Sequence, residues 1–204
     1  MSEYYTPNAQ EFLAGAKQEF VYLITDFGFS FGKAPFEYEN QYSAFFRKVR
    51  VFVYIEGLSY GISLSVSLGR LTFFGRVREQ ISLHTLIALR KADLLEPRCP
   101  EKRGQLQHMK FGAAALRHCA ADFLAGDFSA APEALQLELK LRRDAEEAYE
   151  KAANERTFMQ AADAFHRGQF ELAVRLLESR PGKLGKVQQT MLKLARKRIA
   201  ADSS

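Results

Sequence analysis

The sequence predicts an α+β fold, in which an antiparallel β-sheet of three to five strands packs with helices and a helical C-terminal bundle follows. Aromatic residues are concentrated at the front, where 18 of the 25 lie before residue 75 among alternating apolar and polar positions. Further along, alanine and leucine dominate and the apolar residues recur at helical spacing. Alternation of apolar and polar residues is typical of half-buried strands, whereas apolar residues three or four positions apart are typical of helices. The two parts of the chain therefore differ in secondary structure.

The pattern divides the chain into three regions. Residues 1–96 form a helix-plus-sheet region, residues 97–104 a linker, and residues 105–204 a helical region. The linker is predicted from two prolines, a glycine and several charged residues, which disfavour both helix and strand.

The front region is predicted to begin with a helix, Asn8–Asp26, capped by Asn8 and ended near Gly28. Two clear strands follow. Ser43–Ile55 is predicted as one strand with a bulge or a strand start near Arg47, and Tyr60–Leu68 alternates without interruption. Weaker strands are predicted at Phe36–Glu39 and Leu71–Val77. A short helix starts at Ser82 and stops before Pro97.

The back region is predicted to be helical throughout. Gly126 ends its first helix and Pro132 fits the first turn of a long one that runs to His166. The charged middle of the long helix, Arg142–Arg156, indicates a solvated segment. The predicted helices are Gln105–Ala125, Pro132–His166, Phe170–Ser179 and Leu184–Ala200.

Charge is distributed unevenly around a net value of +5. Residues 44–110 carry 12 basic and 5 acidic residues, and residues 179–201 carry seven basic residues and no acidic one. Basic surfaces concentrate anionic partners, although solvated faces are also often basic without a specific role. The residues predicted to bind a partner are Arg47, Lys48, Arg50, Arg76, Arg78, Lys193, Arg196 and Lys197.

Composition argues against several classes of protein. No secretory signal and no apolar run long enough to cross a bilayer is present, so a cytoplasmic location is expected. Cys99 and Cys119 do not form a metal-type pair, and His118 beside Cys119 points away from it on a helix. No catalytic, cofactor-binding or metal-binding residue is assigned, and an enzyme is not expected.

One catalytic motif is matched, at Gly57-Leu58-Ser59-Tyr60-Gly61, which has the G-x-S-x-G pattern of serine hydrolases. That chemistry needs a strand, a strained turn and then a helix. Here a predicted strand follows the motif, so a hairpin turn explains the two glycines and the serine. A hydrolase acting through Ser59 is kept as a remote alternative.

Nucleic-acid binding is the second hypothesis. Phe46, Lys48, Arg50, Phe52 and Tyr54 are predicted to share one strand face, and basic and aromatic side chains on a sheet can hold single strands. The basic C-terminal helix belongs to the same hypothesis. The simpler explanation is that helices cover the aromatic side chains while the arginines reach the rim.

Two resemblances add to these patterns. Ala161-Ala162-x-x-Phe165-x-x-Gly168-x-Phe170-x-x-Ala173 resembles part of a tetratricopeptide repeat, over about 30 residues and without a second copy, which implies a helical hairpin. The motifs Asp26-Phe27-Gly28-Phe29, Glu56-Gly57-x-x-Tyr60-Gly61 and Phe123-Leu124-x-Gly126-Asp127-Phe128 resemble those of small uncharacterised bacterial proteins, some of them candidate immunity proteins of polymorphic toxin systems.

The second resemblance, over about residues 10–130, implies a cytosolic protein that acts by binding. Nuclease-neutralising proteins are usually acidic whereas this chain is basic, so a target with an acidic site or with apolar contacts is expected. The leading hypothesis is therefore a cytosolic protein-binding module, with an immunity protein that neutralises a toxin as the specific case. The oligomeric state is left open.

Overall fold

The computed structural model describes residues 8–34, 40–58, 63–94 and 104–202. The helices α1 and α2 come first, the strands β1 to β5 follow, and the helices α3 to α8 come last. The helices are α1 Ala9–Glu19, α2 Tyr22–Thr25, α3 Leu83–Leu89, α4 Gly104–Cys119, α5 Ala121–Ala125, α6 Ala131–His166, α7 Phe170–Glu178 and α8 Lys186–Asp202. The strands are β1 Ser30–Gly32, β2 Ser43–Lys48, β3 Val51–Leu58, β4 Ser63–Leu71 and β5 Val77–Ser82. The predicted α+β class with an antiparallel sheet and a helical C-terminal region is confirmed.

The five strands form one antiparallel sheet in the order β1-β2-β3-β4-β5, so every strand pairs with its neighbours in sequence. In such a meander, alternate connections lie at the same end of the sheet. The β2–β3 and β4–β5 turns therefore share one end. The predicted strand Phe36–Glu39 lies outside the described residues.

One face of the sheet carries the main core. Val53 pairs with Phe46 and Leu68, and Leu68 pairs with Ile81, so these side chains lie on the same face. They pack with Phe12 and Phe20 of the N-terminal segment and with apolar residues of α3, α4, α5 and the start of α6. Burial of this large apolar surface is the main stabilising contribution to the fold.

The other face has a smaller buried cluster. Phe45, Phe52, Tyr54 and Leu71 are buried there, and the rings of Phe45 and Phe52 stack with centroids 5.7 Å apart. Both faces of β3 are thus apolar, which explains its unbroken run of buried residues from Val51 to Ile55.

The segment 43–55 is a hairpin, and its prediction as one strand was wrong. Lys48 pairs with Val51, so Val49 and Arg50 form a two-residue turn and a new strand starts at Val51, where the sequence predicted a bulge or a strand start near Arg47. The prediction at Leu71–Val77 was also misplaced, because β4 extends to Leu71 and the next strand begins at Val77. The turn at Val49 lacks the glycine, asparagine or aspartate that usually marks hairpin turns.

Helix ends follow the local signals in the sequence. Asn8 and Glu11 form a reciprocal capping box at the start of α1, and Ser82 caps α3 by accepting a hydrogen bond from the backbone N of Thr85. Gly28 and Gly126 take the left-handed conformation where α2 and α5 end. The helices predicted at Asn8–Asp26 and Gln105–Ala125 are each broken into two, near Phe20 and at Ala120.

Residue contacts separate the chain into two compact units, Met1–Leu141 and Arg142–Ser204, with the boundary inside α6. Helix α4 belongs with the sheet in the first unit. The predicted linker, 97–104, lies outside the described residues except for Gly104, so it stays a prediction. The second unit contains the rest of α6 with α7 and α8. Its buried apolar residues, among those described, are one leucine and four alanines, namely Leu177, Ala161, Ala164, Ala173 and Ala195.

Candidate functional site

The β2–β3 turn holds an apolar side chain in an unusual backbone conformation. Val49 has φ of 51° and its side chain is 79% exposed. A β-branched residue in the left-handed region is an outlier, since its Cβ crowds the following carbonyl at a cost of about 1–2 kcal/mol. The Nε of Arg47 donates to the carbonyl oxygen of Val49 at 3.1 Å and supports the turn.

The β4–β5 turn is held by three hydrogen bonds. Thr72 N donates to the Arg76 carbonyl at 2.6 Å, Gly75 N donates to the Thr72 carbonyl at 3.0 Å, and Arg76 N donates to Thr72 Oγ1 at 3.1 Å. Gly75 has φ of 78°, a conformation that glycine adopts without strain. The turn is therefore a defined structure.

Two phenylalanines project from this turn. Phe73 is 79% exposed and Phe74 is 87% exposed, and their rings meet edge to face with centroids 5.6 Å apart. Single exposed apolar residues are common, but an adjacent aromatic pair is a feature of interaction sites. Phe73 and Phe74 fall within the strand predicted at Leu71–Val77 and so were not expected to be exposed, although Gly75 is a signal for a turn.

The two turns lie side by side. Leu71 N donates to the Arg50 carbonyl at 2.6 Å across the ends of β3 and β4. The guanidinium carbon of Arg50 lies 5.8 Å from the centre of the Phe73 ring, within the range of a cation–π contact. Val49, Phe73 and Phe74 are thus presented at one end of the sheet.

Five of the predicted binding residues lie in the two turns or at the strand ends next to them. Arg47, Arg50, Arg76 and Arg78 are exposed and Lys48 is half-buried. We refer to the whole group as the turn patch: Val49, Phe73, Phe74, Arg47, Lys48, Arg50, Arg76 and Arg78.

The positive charge of the turn patch is not neutralised by the sheet. Between residues 43 and 82 the acidic residues are Glu56 and Glu79. Glu56 pairs with Ser43 at the opposite end of the sheet, and Glu79 forms a salt bridge with Arg70. Within the described part of the chain, none of the five patch cations forms an ion pair.

The other three predicted binding residues lie on α8 in the second unit. Arg196 forms a salt bridge with Glu178 of α7 at 2.6 Å, whereas Lys193 and Lys197 are exposed and make no ion pair with any described residue. The eight residues are thus divided between the turn patch and α8.

The aromatic strand face predicted for nucleic acid is not formed. Phe46 lies on the opposite face from Phe52 and Tyr54, because the Val49–Arg50 turn reverses the chain. Phe52 and Tyr54 are themselves buried, so they cannot stack on bases. The helices of the main core pack on the face that carries Phe46. The predicted cations are also divided between the two faces, because Arg47 pairs with Phe52 and Lys48 pairs with Val51.

Neither a hydrolase site nor a metal site is assembled among the described residues. Ser59 lies outside them, and the segment that follows, β4, is a strand instead of the helix of a nucleophile elbow. His118 is exposed while Cys119 is buried, so their side chains point apart. Burial raises the pKa of the Cys119 thiol, which disfavours the reactive thiolate. No cluster of three or more His, Cys, Asp or Glu residues suited to a metal occurs within the ranges described.

One buried carboxylate has a structural role that the sequence did not reveal. Glu138 of α6 accepts hydrogen bonds from Ser82 N at 3.0 Å, from Ser82 Oγ at 2.9 Å and from the Thr85 hydroxyl. It is only 8% exposed. Glu138 therefore satisfies polar groups at the start of α3 and fastens α6 to it, a pairing between residues more than fifty positions apart.

The described helices lack the combination of length and apolar character needed to cross a bilayer. Comparisons of the chain with family models, with curated proteins and with solved structures found no match.

Proposed function

We propose that this chain is a protein-binding module whose contact surface is the turn patch. The observation that carries the proposal is the exposed apolar group Val49, Phe73 and Phe74 in two adjacent turns that also carry exposed arginines. Val49 keeps its apolar side chain at a position where glycine would relieve backbone strain. Strained residues are concentrated at functional sites, and this one is part of the patch.

The composition of the turn patch favours a protein as the partner. Aromatic residues and arginine are enriched among the side chains that contribute most to binding at protein interfaces. Four of the five cations are arginines, whose planar guanidinium forms paired hydrogen bonds with carboxylates. The complementary surface is an apolar pocket rimmed by aspartate or glutamate.

The resemblance to candidate immunity proteins makes a toxin domain the first partner to test. Neutralisation would then consist of covering an acidic, partly apolar surface of the toxin. A cytosolic location belongs to the same proposal, and the free, buried thiol of Cys119 fits a reducing compartment.

Capture from the source cell followed by reconstitution tests the proposal. The wild-type chain and the Phe73→Ser/Phe74→Ser variant are compared, with Leu139→Ser as the control because Leu139 is exposed on α6 outside the patch. We expect a partner that wild type and control bind equally and that the double variant binds about 30-fold or more weakly, measured with both proteins purified. Equal affinity of the double variant would refute the proposal.

Nucleic acid is the second candidate, because the same five cations could contact phosphates. A short random-sequence oligonucleotide titrated at several salt concentrations distinguishes the two cases. Phosphate contacts give a steep loss of affinity with salt, and the loss would follow substitution of the arginines and not of the phenylalanines. Tight binding of that kind would replace the protein proposal.

A further inference from the structure

The second unit has an apolar groove on its surface. It encloses about 370 Å³ between the end of α6 and one face of α8. The side chains that line it are Phe165, His166, Lys186, Val187, Thr190, Met191 and Leu194.

The groove is separate from the interior of the second unit. Helix α8 contributes Ala195, which is fully buried, to that interior. By contrast Val187 is 70% exposed and Leu194 is 49% exposed. These two residues are seven positions apart and so lie on the same face of α8, two turns from each other. Helix α8 therefore has a second apolar stripe that the described residues leave open.

One edge of the groove is strongly positive. Lys186, Lys193 and Lys197 follow each other along α8 at intervals of seven and four residues, beside the apolar stripe. No acidic residue occurs between positions 179 and 201. Other cations nearby are neutralised, Lys183 by Glu150 and Arg196 by Glu178, but these three lysines form no ion pair with any residue described.

We propose that this groove binds an amphipathic helix of a partner protein whose polar flank is acidic. Apolar residues of such a helix at positions i, i+3 or i+4, and i+7 match the length of the stripe from Val187 to Leu194. Glutamate or aspartate on the flank would pair with Lys186, Lys193 and Lys197. A second copy of α8 in the same place would oppose lysine to lysine, so self-association through the groove is disfavoured.

The apolar lining of the groove argues against phosphate groups as its ligand. Phosphates would pair with the lysines but would gain nothing from contact with Val187 and Met191. The groove is a different surface from the turn patch, so its occupant can be tested independently.

Methionine methyl groups give a direct measurement. The methionine methyl groups are labelled with ¹³C and observed by NMR. Met191 lines the groove, whereas Met159 is exposed on α6 outside it and Met109 is buried in the first unit. The probe is a synthetic helix of about 18 residues, long enough to be helical, with leucines on one face and glutamates beside them. We expect saturable shifts of Met191, with Met109 and Met159 unchanged and a dissociation constant of about 10–100 µM.

The comparison probes decide between occupants. They are the same peptide with lysine for glutamate, a scrambled acidic peptide, a random oligonucleotide and phosphatidylserine vesicles. Binding restricted to the ordered acidic helix supports the proposal. It is overturned if Met191 does not respond, if the lysine or scrambled peptide binds equally well, if oligonucleotide or vesicles perturb Met191 instead, or if Met191 shifts with protein concentration alone.

Two variants test the residues. Val187→Ser/Leu194→Ser and Lys193→Glu/Lys197→Glu change exposed side chains and should keep the thermal transition of wild type. Each variant should bind the acidic peptide about 10-fold or more weakly than wild type does. The charge-reversed variant should also gain affinity for the lysine peptide. Phe73→Ser/Phe74→Ser is the matched control and should bind the peptide as wild type does. Unchanged affinity in both groove variants would overturn the proposal.

Discussion

The guanidinium carbon of Arg50 lies 5.8 Å from the ring centre of Phe73, a contact that joins two turns separated by more than twenty residues. It holds a cation against an aromatic ring that is otherwise exposed to water. An exposed cation–π contact contributes only about 0.5–1 kcal/mol, so its main consequence is positional. It places positive charge beside the apolar group, where a partner's carboxylate would meet it.

Replacing Val49 with glycine should stabilise the protein while weakening partner binding. Glycine removes the strain of the left-handed conformation but loses more conformational entropy on folding than valine does. We expect the net effect to raise the free energy of unfolding in urea by about 1 kcal/mol. The same change removes an exposed apolar side chain from the turn patch, so affinity for the captured partner should fall. Parallel loss of stability and binding would contradict the strain at Val49.

Phe74→Trp should act as a reporter of the turn patch, because the chain contains no tryptophan. An indole at this exposed position should emit as a solvated one. Its iodide quenching constant, divided by that of free N-acetyltryptophanamide, should exceed the same ratio for caesium, since the nearby cations attract the anion and repel the cation. Adding Arg50→Ala and Arg76→Ala should reduce the iodide ratio and leave acrylamide quenching unchanged. Equal ratios for the two ions would contradict a positive potential at the patch.

Glu138→Ala should destabilise the first unit. The substitution leaves Ser82 N and the Thr85 hydroxyl without their buried acceptor, and an unsatisfied buried group costs about 1–3 kcal/mol. Lys140→Ala, an exposed position two residues along α6, is the control. Urea unfolding measures both free energies, and similar values for the two variants would show that the Glu138 carboxylate is not needed.

Tyr22→Phe should change how stability depends on alkaline pH. The Tyr22 hydroxyl donates to the Ala113 carbonyl at 3.0 Å, so its loss should cost about 1 kcal/mol near neutral pH. Burial raises the pKa of Tyr22 in the folded state, although Arg117 opposes the shift. The unfolded chain therefore ionises first, and the stability linked to Tyr22 is complete below about pH 10 and is lost as pH rises further.

The phenylalanine variant cannot ionise at this position. The free-energy difference between wild type and variant should consequently shrink as the pH increases above about 10. Tyr149→Phe, which changes an exposed tyrosine of α6, is the matched control. A difference that stays constant across this range would exclude a raised pKa for Tyr22.

Much of the fold could be predicted because its signals are local. Alternation placed Leu64, Val66 and Leu68 in the main core, and the caps at Asn8, Ser82 and Gly126 lie where the residue types indicated. The turn at Val49 could not be predicted, because a valine there contradicts the preferences of hairpin turns. Phe73 and Phe74 were assigned to a strand for a related reason, since aromatic residues favour strands wherever packing does not decide otherwise.

The candidate site was predicted in part. The charge count identified Arg47, Lys48, Arg50, Arg76 and Arg78. The predicted strand, however, put Lys48 and Arg50 on one face with Phe52 and Tyr54, whereas Arg50 lies in the turn and Lys48 is opposite Val51. One added turn reverses the direction of the chain and changes which side chains share a face, as happens whenever strand register or connection is altered. Sequence alone could not place Arg50 beside Phe73.

The sequence by itself determined the class of the fold, the ends of several helices and the uneven distribution of charge, because each depends on residues close together in the chain. The tertiary structure alone decided that two turns meet to form the turn patch, that Phe52 and Tyr54 are buried, and that Glu138 reaches Ser82. These depend on strand order and on long-range packing. Such contacts are selected by the total surface buried in the folded chain, which no short segment encodes.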